Sequence, residues 1–199
     1  MSIKRASTST ALNGFPKYPS MWDQSTQAAT YDYIGSINIG AETNNGTIAF
    51  WNIPQTYTHL QIRGLARSTR TYSGNAIDEV RVYLNGAIYG SNNLNLQGDG
   101  TTFSTNAAGA FIIDDGGGPT GMYSPFIIDI FDYTSTSATK TKTTRITSGA
   151  DTNSSSPQGF ATFATAYYSL NSTVTGVGIY LAYGGVWKQY STVAIYGIK

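Results

Sequence analysis

The chain has 199 residues, enough for one domain with a packed core, or for one such domain plus an arm. Charged residues make up only 12% of it and the formal net charge is +1, so the molecule as a whole does not attract the phosphate backbone of nucleic acid. It contains no cysteine, which excludes a disulfide framework and any thiolate metal site.

The low share of charged residues also indicates the composition of the surface. Tyr (15 residues) outnumbers Phe (8), and the surface is therefore predicted to consist of Ser, Thr, Asn, Gly and Tyr hydroxyls. Such a surface suits contact with sugars, with other protein copies or with a crowded assembly. No run approaches the ~20 apolar residues of a membrane span. The basic start, residues 1–5, is followed by Ser and Thr where a signal peptide needs an apolar stretch, so we expect synthesis in the cytoplasm without a cleaved signal.

Residues 1–30 differ from the rest and are predicted to form an irregular N-terminal arm. Pro16 and Pro19 remove backbone donors and fix φ, so this stretch does not sit inside a strand ladder. It nevertheless carries four large apolar side chains: Phe15, Tyr18, Met21 and Trp22. Apolar residues on an arm either fold back on the body or dock into a neighbour, and the sequence leaves both open.

The body, residues 31–199, contains no convincing helix. Short runs rich in β-branched and aromatic residues alternate with Gly, Asn, Ser and Thr, which is typical of strands and turns. The sequence predicts strands near residues 31–40, 46–53, 57–67, 78–85, 87–96, 109–115, 122–133, 140–148, 158–168, 174–183 and 190–197. Many short strands in one chain of this length favour an all-β fold of two packed antiparallel sheets, with a jelly roll as first choice.

Local patterns predict details of these strands. Leu60 and Ile62 alternate with polar residues, so they share one face of a strand and His59 lies on the other. The run at 126–131 is nearly continuous in apolar residues, which predicts a central strand covered on both faces. Asn44-Asn45-Gly46 and Asn85-Gly86 are hairpin signals, because Asn and Gly accept positive φ.

The search for reactive groups finds few. His59 is the only histidine, and a lone strand histidine is most often a hydrogen-bonded structural residue. Asp129 and Asp132 are three residues apart in a strand, so they face opposite sides and make a poor catalytic pair. Asp114 and Asp115 precede a glycine-rich loop and are weak calcium candidates, and a plain turn is the favoured interpretation. We predict no catalytic residue, no cofactor and no assigned metal site.

Aromatic and basic residues provide the remaining candidates. Four aromatic residues near the C-terminus can stack on sugar rings, fill the core or contact another subunit, and we favour the subunit contact: Tyr167, Tyr168, Tyr183 and Trp187. Residues 140–145 (KTKTTR) alternate like the solvent-exposed face of a strand. A second basic group, Arg63, Arg67 and Arg70, lies at a strand end and in a turn. Neither group predicts nucleic-acid binding.

Three segments of the body share a pattern with known proteins. They are residues 53–54 with 57–67 (IP, YTHLQIRGLAR), residues 126–145 (FIIDIFDYTSTSATKTKTTR) and residues 190–199 (YSTVAIYGIK). In these segments the chain resembles a family of bacteriophage virion proteins, often from phages of aquatic bacteria. The resemblance covers most of the body and is weakest in the arm.

The resemblance implies a non-enzymatic structural protein of the virion, either a capsid decoration (cement) protein or a tail-fibre protein. The chain has no coiled-coil heptads and no repetitive shaft, which favours a short module bound to the shell. We therefore expect a trimer on the capsid surface, made in the host cytoplasm. Its partner would be the major capsid protein, contacted through Phe15, Tyr18, Met21 and Trp22. The main alternative is a tail-fibre or receptor-binding module that recognises host surface glycans, and a glycan-cleaving enzyme would need two facing carboxylates that the sequence does not supply.

Overall fold

A computed structural model describes residues 31–42, 46–71, 76–88, 94–98, 103–106, 110–152 and 159–199. For residues 88, 94–98 and 103–106 it describes the backbone alone. These residues belong to one compact unit, Tyr31–Lys199. The arm residues Phe15, Tyr18, Met21 and Trp22 lie outside the described residues, so the predictions about them stay predictions.

Every regular element in the described ranges is a β-strand, which confirms the all-β class. The strands are β1 (Tyr31–Asn38), β2 (Thr47–Trp51), β3 (His59–Ala66), β4 (Ile77–Leu84), β5 (Ala87–Ile88), β6 (Leu94–Gly98), β7 (Phe103–Asn106), β8 (Ala110–Asp114), β9 (Ser124–Phe131), β10 (Lys142–Asp151), β11 (Gly159–Tyr168), β12 (Gly176–Leu181) and β13 (Thr192–Ile198). No helix capable of spanning a membrane is found in this part of the chain.

The strands form two antiparallel sheets that pack together as a sandwich. The large sheet has the order β1-β13-β3-β9-β10-β11-β6-β7. The small sheet has the order β2-β12-β4, and both β8 and β5 pair with the far side of β4. Several neighbours are far apart in the chain, such as β3 with β9 and β2 with β12. The first and last strands, β1 and β13, are also neighbours in the large sheet.

The core lies between the two sheets and follows the period of two. Leu60 and Ile62 of β3 are 0% and 1% exposed, as their alternation predicts. In β4 the inward residues Val80, Val82 and Leu84 are fully buried and face the large sheet. Burying one such side chain contributes about 1.5–3 kcal/mol. Burial of this interior is therefore a main source of the stability of the sandwich.

The run at 126–131 was predicted to be covered on both faces, and this is wrong. β9 is central, between β3 and β10, but it has one buried and one open face. Phe126, Ile128 and Ile130 point into the core, whereas Ile127 is 41% exposed on the outer face. A central antiparallel strand needs only one packed face, so a continuous apolar run does not imply two.

The two hairpin signals have different outcomes. Asn85 and Gly86 have φ of 50° and 80° and join β4 to β5, as a two-residue hairpin requires. The Asn85 side chain also accepts hydrogen bonds from the backbone of Thr175 and Gly176 at 2.8 and 3.0 Å, which holds the start of β12. The hairpin predicted around Asn44-Asn45-Gly46 is wrong, because β1 and β2 lie in different sheets.

The region from 87 to 106 was the least well predicted. The expected strand 87–96 is two strands, with β5 in the small sheet and β6 in the large sheet. β7, which pairs with β6, was not predicted. β5 has two residues and β7 has four, which is too short for a clear period, and the alternation of Leu94 and Leu96 in β6 was assigned to the single expected strand.

Candidate binding surfaces

Four side chains form a continuous chain of hydrogen bonds across the outer face of the large sheet. Gln61 of β3 is directly paired with Asp129 of β9, which is directly paired with Arg145 of β10. The Arg63 Nε donates to Gln61 Oε1 at 2.5 Å, and Gln61 Nε2 donates to Asp129 Oδ1 at 2.6 Å. Arg145 donates from Nε and Nη2 to Asp129 Oδ2 at 3.0 and 2.7 Å. We call these four residues the polar ribbon.

Aromatic rings hold both ends of the polar ribbon. The Arg63 guanidinium lies 5.0 Å from the ring centroid of Tyr31 and 5.2 Å from that of Tyr196. The Arg145 guanidinium lies 5.7 Å from the Phe131 ring. Contacts of this kind are favourable because a cation is attracted to the negative face of a ring. The ribbon is thus preorganised, and it carries one more positive charge than negative.

Large apolar side chains stand beside the polar ribbon and are open to solvent. Leu65, Ile127 and Phe163 are 45%, 41% and 43% exposed. Thr147 lies between Ile127 and Phe163, since it pairs with both across β10. A shallow groove of about 480 Å³ adjoins them at β1, β13 and β3, with Tyr33 on its rim. We call the polar ribbon and these apolar residues together the ribbon face.

A second aromatic surface lies on the outer face of the small sheet. The ring centroids of Trp51 and Tyr83 are 6.4 Å apart, and those of Tyr83 and Tyr180 are 6.3 Å apart. Trp51 is 60% exposed. Its ring lies over Gly176 of β12, and the Tyr83 ring lies over Gly178, where an added Cβ would collide with ring atoms at 2.3 and 2.1 Å. We call these three rings the aromatic strip.

A polar cluster adjoins the aromatic strip at its Tyr180 end, where Tyr180 pairs with Arg81. Arg81 Nε donates to Glu79 Oε1 at 2.6 Å, and the Tyr183 hydroxyl donates to Glu79 Oε2 at 3.1 Å. The Arg70 guanidinium lies 4.5 Å from the Tyr183 ring centroid. The negative charge of Glu79, followed by burial, raises the pKa of the Tyr183 hydroxyl, which therefore stays a donor.

The acids Asp114 and Asp115 belong to a structural cluster around Arg67. The buried Arg67 guanidinium donates to the carbonyl oxygens of residues 115, 118, 119 and 122, at 2.9 Å for Asp115 and 2.6 Å for Gly118. The guanidinium thus bonds the Gly118 carbonyl, which is one of the loop carbonyls that a calcium ion would use. Asp114 and Asp115 are built into a structural cluster, which favours the turn interpretation, and the described residues contain no group of three His, Asp or Glu side chains suited to a metal.

Two buried carboxyls lie near this cluster. Asp114 Oδ2 accepts from Ser124 Oγ at 2.7 Å, and Asp78 Oδ2 accepts from Ser68 Oγ at 2.6 Å. Burial raises the pKa of both carboxyls, and for both this outweighs the hydrogen bond from the serine. Because both groups are enclosed by protein, they affect stability rather than offer reactive groups to a substrate.

The other predicted polar residues also have structural partners. His59 Nδ1 accepts from the backbone N–H of Asp132 at 3.0 Å, which confirms the prediction of a hydrogen-bonded structural histidine. Lys140 pairs with Asp132 at 2.8 Å, away from the Asp129 carboxylate. The prediction that the basic residues of 140–145 lie on the solvent-exposed face of a strand is wrong for Lys142. That side chain is fully buried, donates to the Ser135 carbonyl, and burial lowers the pKa of its ammonium.

The four C-terminal aromatic candidates separate into two groups. Tyr168 and Trp187 are 1% and 0% exposed and belong to the core, so the predicted subunit contact is wrong for them. Tyr168 also donates to the Val82 carbonyl at 3.2 Å, which ties it to the opposite sheet. Tyr183 is 55% exposed beside the aromatic strip, and Tyr167 is half-buried on β11.

Sequence reasoning missed the aromatic strip. The signal available was the alternation Gly176-Val177-Gly178, since glycine inside a strand marks a close approach of another group. The sequence did not indicate which rings cover these glycines, because Trp51 and Tyr83 come from strands that are distant in the chain.

Comparison of the chain with protein-family models, with curated proteins and with solved structures gave no match. The resemblance to bacteriophage virion proteins is not tested by these comparisons and stays a prediction.

Proposed function

We propose that the chain is a structural protein of a bacteriophage virion, a capsid decoration (cement) protein that binds the outer shell. In this role it would stabilise the contacts between major capsid subunits against the pressure of packaged DNA. The proposal includes a homotrimer at junctions of the shell and an N-terminal arm that contacts the shell or a neighbouring copy. It rests on the resemblance in residues 53–67, 126–145 and 190–199, and on the surface described above.

The ribbon face is the observation that carries the proposal. A folded monomer rarely leaves several large apolar side chains together on one sheet face, unless that face meets a partner. Here Leu65, Ile127 and Phe163 lie beside the preorganised arginines Arg63 and Arg145. This combination of apolar centre and held polar groups is typical of protein interfaces. A stable contact buries about 1,600 Å² in total, and many copies on one shell multiply its effect.

The strand order supports the finer prediction of a jelly roll. A jelly roll has eight strands in two four-stranded sheets. Part of the large sheet has the order β1-β13-β3-β9, and part of the small sheet has the order β2-β12-β4-β8. The chain alternates between the sheets from β1 to β4 and again from β12 to β13. In this interpretation, β5–β7 and β10–β11 are insertions: β6, β7, β10 and β11 extend the large sheet beyond β9, and β5 pairs with β4 in the small sheet.

Counting copies in purified virions tests the proposal directly. Gel densitometry against the major capsid protein should give a copy number in the hundreds. Purified chain added to stripped shells should rebind, and the double substitution Ile127→Ser with Phe163→Ser should weaken the rebinding. Tyr190→Ser is the matched control, because Tyr190 is 71% exposed but is not part of the ribbon face. Absence of the chain from virions, or turnover of a substrate by the purified chain, would refute the proposal.

A tail-fibre or receptor-binding module is the second candidate. The observation that favours it is the aromatic strip, whose exposed Trp51 ring and half-buried Tyr83 and Tyr180 rings suit contact with sugars. This role predicts only a few copies per particle. The same densitometry therefore separates the two candidates.

A further inference from the structure

We infer that the aromatic strip and its polar cluster form a binding site for a neutral oligosaccharide. This goes beyond the proposed shell contact, because the site lies on the small sheet and the ribbon face lies on the large one. The inference concerns Trp51, Tyr83 and Tyr180 as stacking residues, with Glu79 and Arg81 as hydrogen-bonding residues.

The first argument is the way the rings are seated. If Gly176 had a Cβ, that atom would lie 2.3 Å from the nearest Trp51 ring atoms. A Cβ on Gly178 would lie 2.1 Å from the nearest Tyr83 ring atom. The rings therefore rest on the backbone of β12, and any other residue at 176 or 178 would displace them. Glycine inside a strand costs roughly 0.5–1 kcal/mol relative to alanine. β12 has such a glycine at both 176 and 178, and together they allow the rings to form a low, continuous aromatic surface.

Covering of glycine by a cross-strand ring also stabilises a sheet by itself. That effect accounts for the positions of Trp51 and Tyr83 over the glycines. It does not account for Tyr180, which pairs with Arg81 and Thr47 and extends the strip by a third ring. It also does not account for the 60% exposure of Trp51, since a ring that only protects the backbone gains by being covered itself.

The ligand class follows from the chemistry of the surface. A sugar ring has one face rich in C–H groups and a rim of hydroxyls. The C–H groups of a sugar carry a small positive charge and are attracted to the negative face of an aromatic ring. The positive edge of one aromatic ring packs on the face of another for the same reason. Glu79 is an acceptor and Arg81 a donor for hydroxyls at the end of the strip, and both are already oriented by their 2.6 Å contact.

Charge separates a neutral sugar from other ligands that stack on rings. Arg81 balances Glu79, and Arg70 lies 3.6 Å from Asp78, so the cluster has no net charge. Single-stranded nucleic acid also stacks on aromatic rings, but it requires a positive groove for its phosphates. A protein partner is met by side chains that project into pockets. Rings seated on glycine do not project in that way.

Binding measurements on the isolated full chain test the inference. The probes are linear neutral hexasaccharides of glucose, N-acetylglucosamine, mannose and galactose, followed by calorimetry, with a sialylated oligosaccharide as the charged comparison. We expect millimolar or tighter binding of at least one neutral probe. Trp51→Ala should weaken it by about tenfold, which corresponds to ~1.4 kcal/mol. Trp51→Phe, which keeps a ring over Gly176, should retain most of the affinity.

Tyr190→Ala is the matched control and should leave the affinity unchanged, because that exposed ring lines a different hollow, beside Thr120 and Tyr123, which contains no residue of the strip. Circular dichroism melting of each variant shows whether the fold is kept. The inference fails if no neutral probe binds at millimolar concentration, if only the charged probe binds, or if Trp51→Ala binds as well as the unaltered chain. Self-association that Trp51→Ala abolishes, without sugar binding, would instead make the strip a subunit interface. All these outcomes are independent of the copy number in virions.

Discussion

Arg145 and Asp129 occupy directly paired positions on neighbouring strands, and two nitrogens of the guanidinium donate to one carboxylate oxygen, Asp129 Oδ2. The other oxygen accepts from Gln61, so the carboxylate joins three strands on the outer face of the large sheet. The same carboxylate that looked like a candidate acid in the sequence is thus fully engaged in a structural network. It is the centre of the polar ribbon.

The polar ribbon predicts an unequal response to substitution. Asp129→Ala leaves the buried Gln61 amide without its acceptor and should lower the free energy of unfolding by about 1–2 kcal/mol. Arg145→Ala should cost less than about 1 kcal/mol, because the Arg145 side chain is 54% exposed and water replaces its contacts. Urea unfolding monitored by circular dichroism measures both. Equal losses for the two variants would contradict the central role of Asp129.

Arg67 is predicted to be a main support of the loop that follows β8. Its guanidinium reaches four carbonyl oxygens, and a lysine ammonium cannot match that planar geometry. Arg67→Lys should therefore lower the free energy of unfolding by about 2–4 kcal/mol. Arg63→Lys is the matched control on an exposed arginine and should cost less. In addition, millimolar calcium should leave the melting temperature of the unaltered chain unchanged, and a calcium-dependent rise would favour a calcium site at Asp114 and Asp115 over the turn.

Asp114 predicts a pH dependence of stability. In the folded chain, burial raises the pKa of the Asp114 carboxyl above the ordinary value of 3.8, which applies to the unfolded chain. At a pH between the unfolded and the folded pKa, the folded chain therefore binds more protons than the unfolded chain. The contribution of Asp114 to stability therefore falls as the pH rises through the folded pKa. Asp114→Asn removes this contribution and still accepts from Ser124. Its stability relative to the unaltered chain should be highest at neutral pH and should decline toward pH 4.

The control for this experiment is Glu42→Gln, at a surface carboxylate that pairs with Lys188 at 2.5 Å. Asp78 also has a raised pKa, but it is present in both chains, so its effect cancels in the difference. Chemical unfolding at several pH values gives the difference directly. A difference between Asp114→Asn and the unaltered chain that is constant over pH would contradict the assignment.

Deletion of the N-terminal arm is predicted to abolish attachment to the capsid shell without affecting the folding of the body. The strands of the described residues belong to the compact unit Tyr31–Lys199, so deletion of residues 1–25 should leave the circular dichroism spectrum and melting of the body intact. The deleted segment contains the four apolar side chains Phe15, Tyr18, Met21 and Trp22, and attachment to the shell should be lost with them. Shell occupancy of the truncated chain, measured by co-sedimentation, is the test. Full occupancy would transfer the attachment role to the ribbon face alone.

Local patterns were sufficient wherever one face of a strand meets the core. The alternation around Leu60 and Ile62, the Asn85-Gly86 turn and the all-β class follow from side-chain period and backbone preference. The same reasoning failed for Lys142, because a long aliphatic stem allowed the inward position of the strand to hold a lysine whose ammonium reaches the Ser135 carbonyl. It also failed for Tyr168 and Trp187, whose exposure depends on the opposite sheet.

The sequence by itself determined that the body forms strands and which side of β3 faces inward. Tertiary structure alone decided which side chains meet. Gln61 and Asp129 are 68 residues apart, and Trp51 reaches Gly176 from another strand of the small sheet. The physical reason is that periodicity along one strand is local. The neighbour of a strand and its register are set by the packing of both sheets around a shared core.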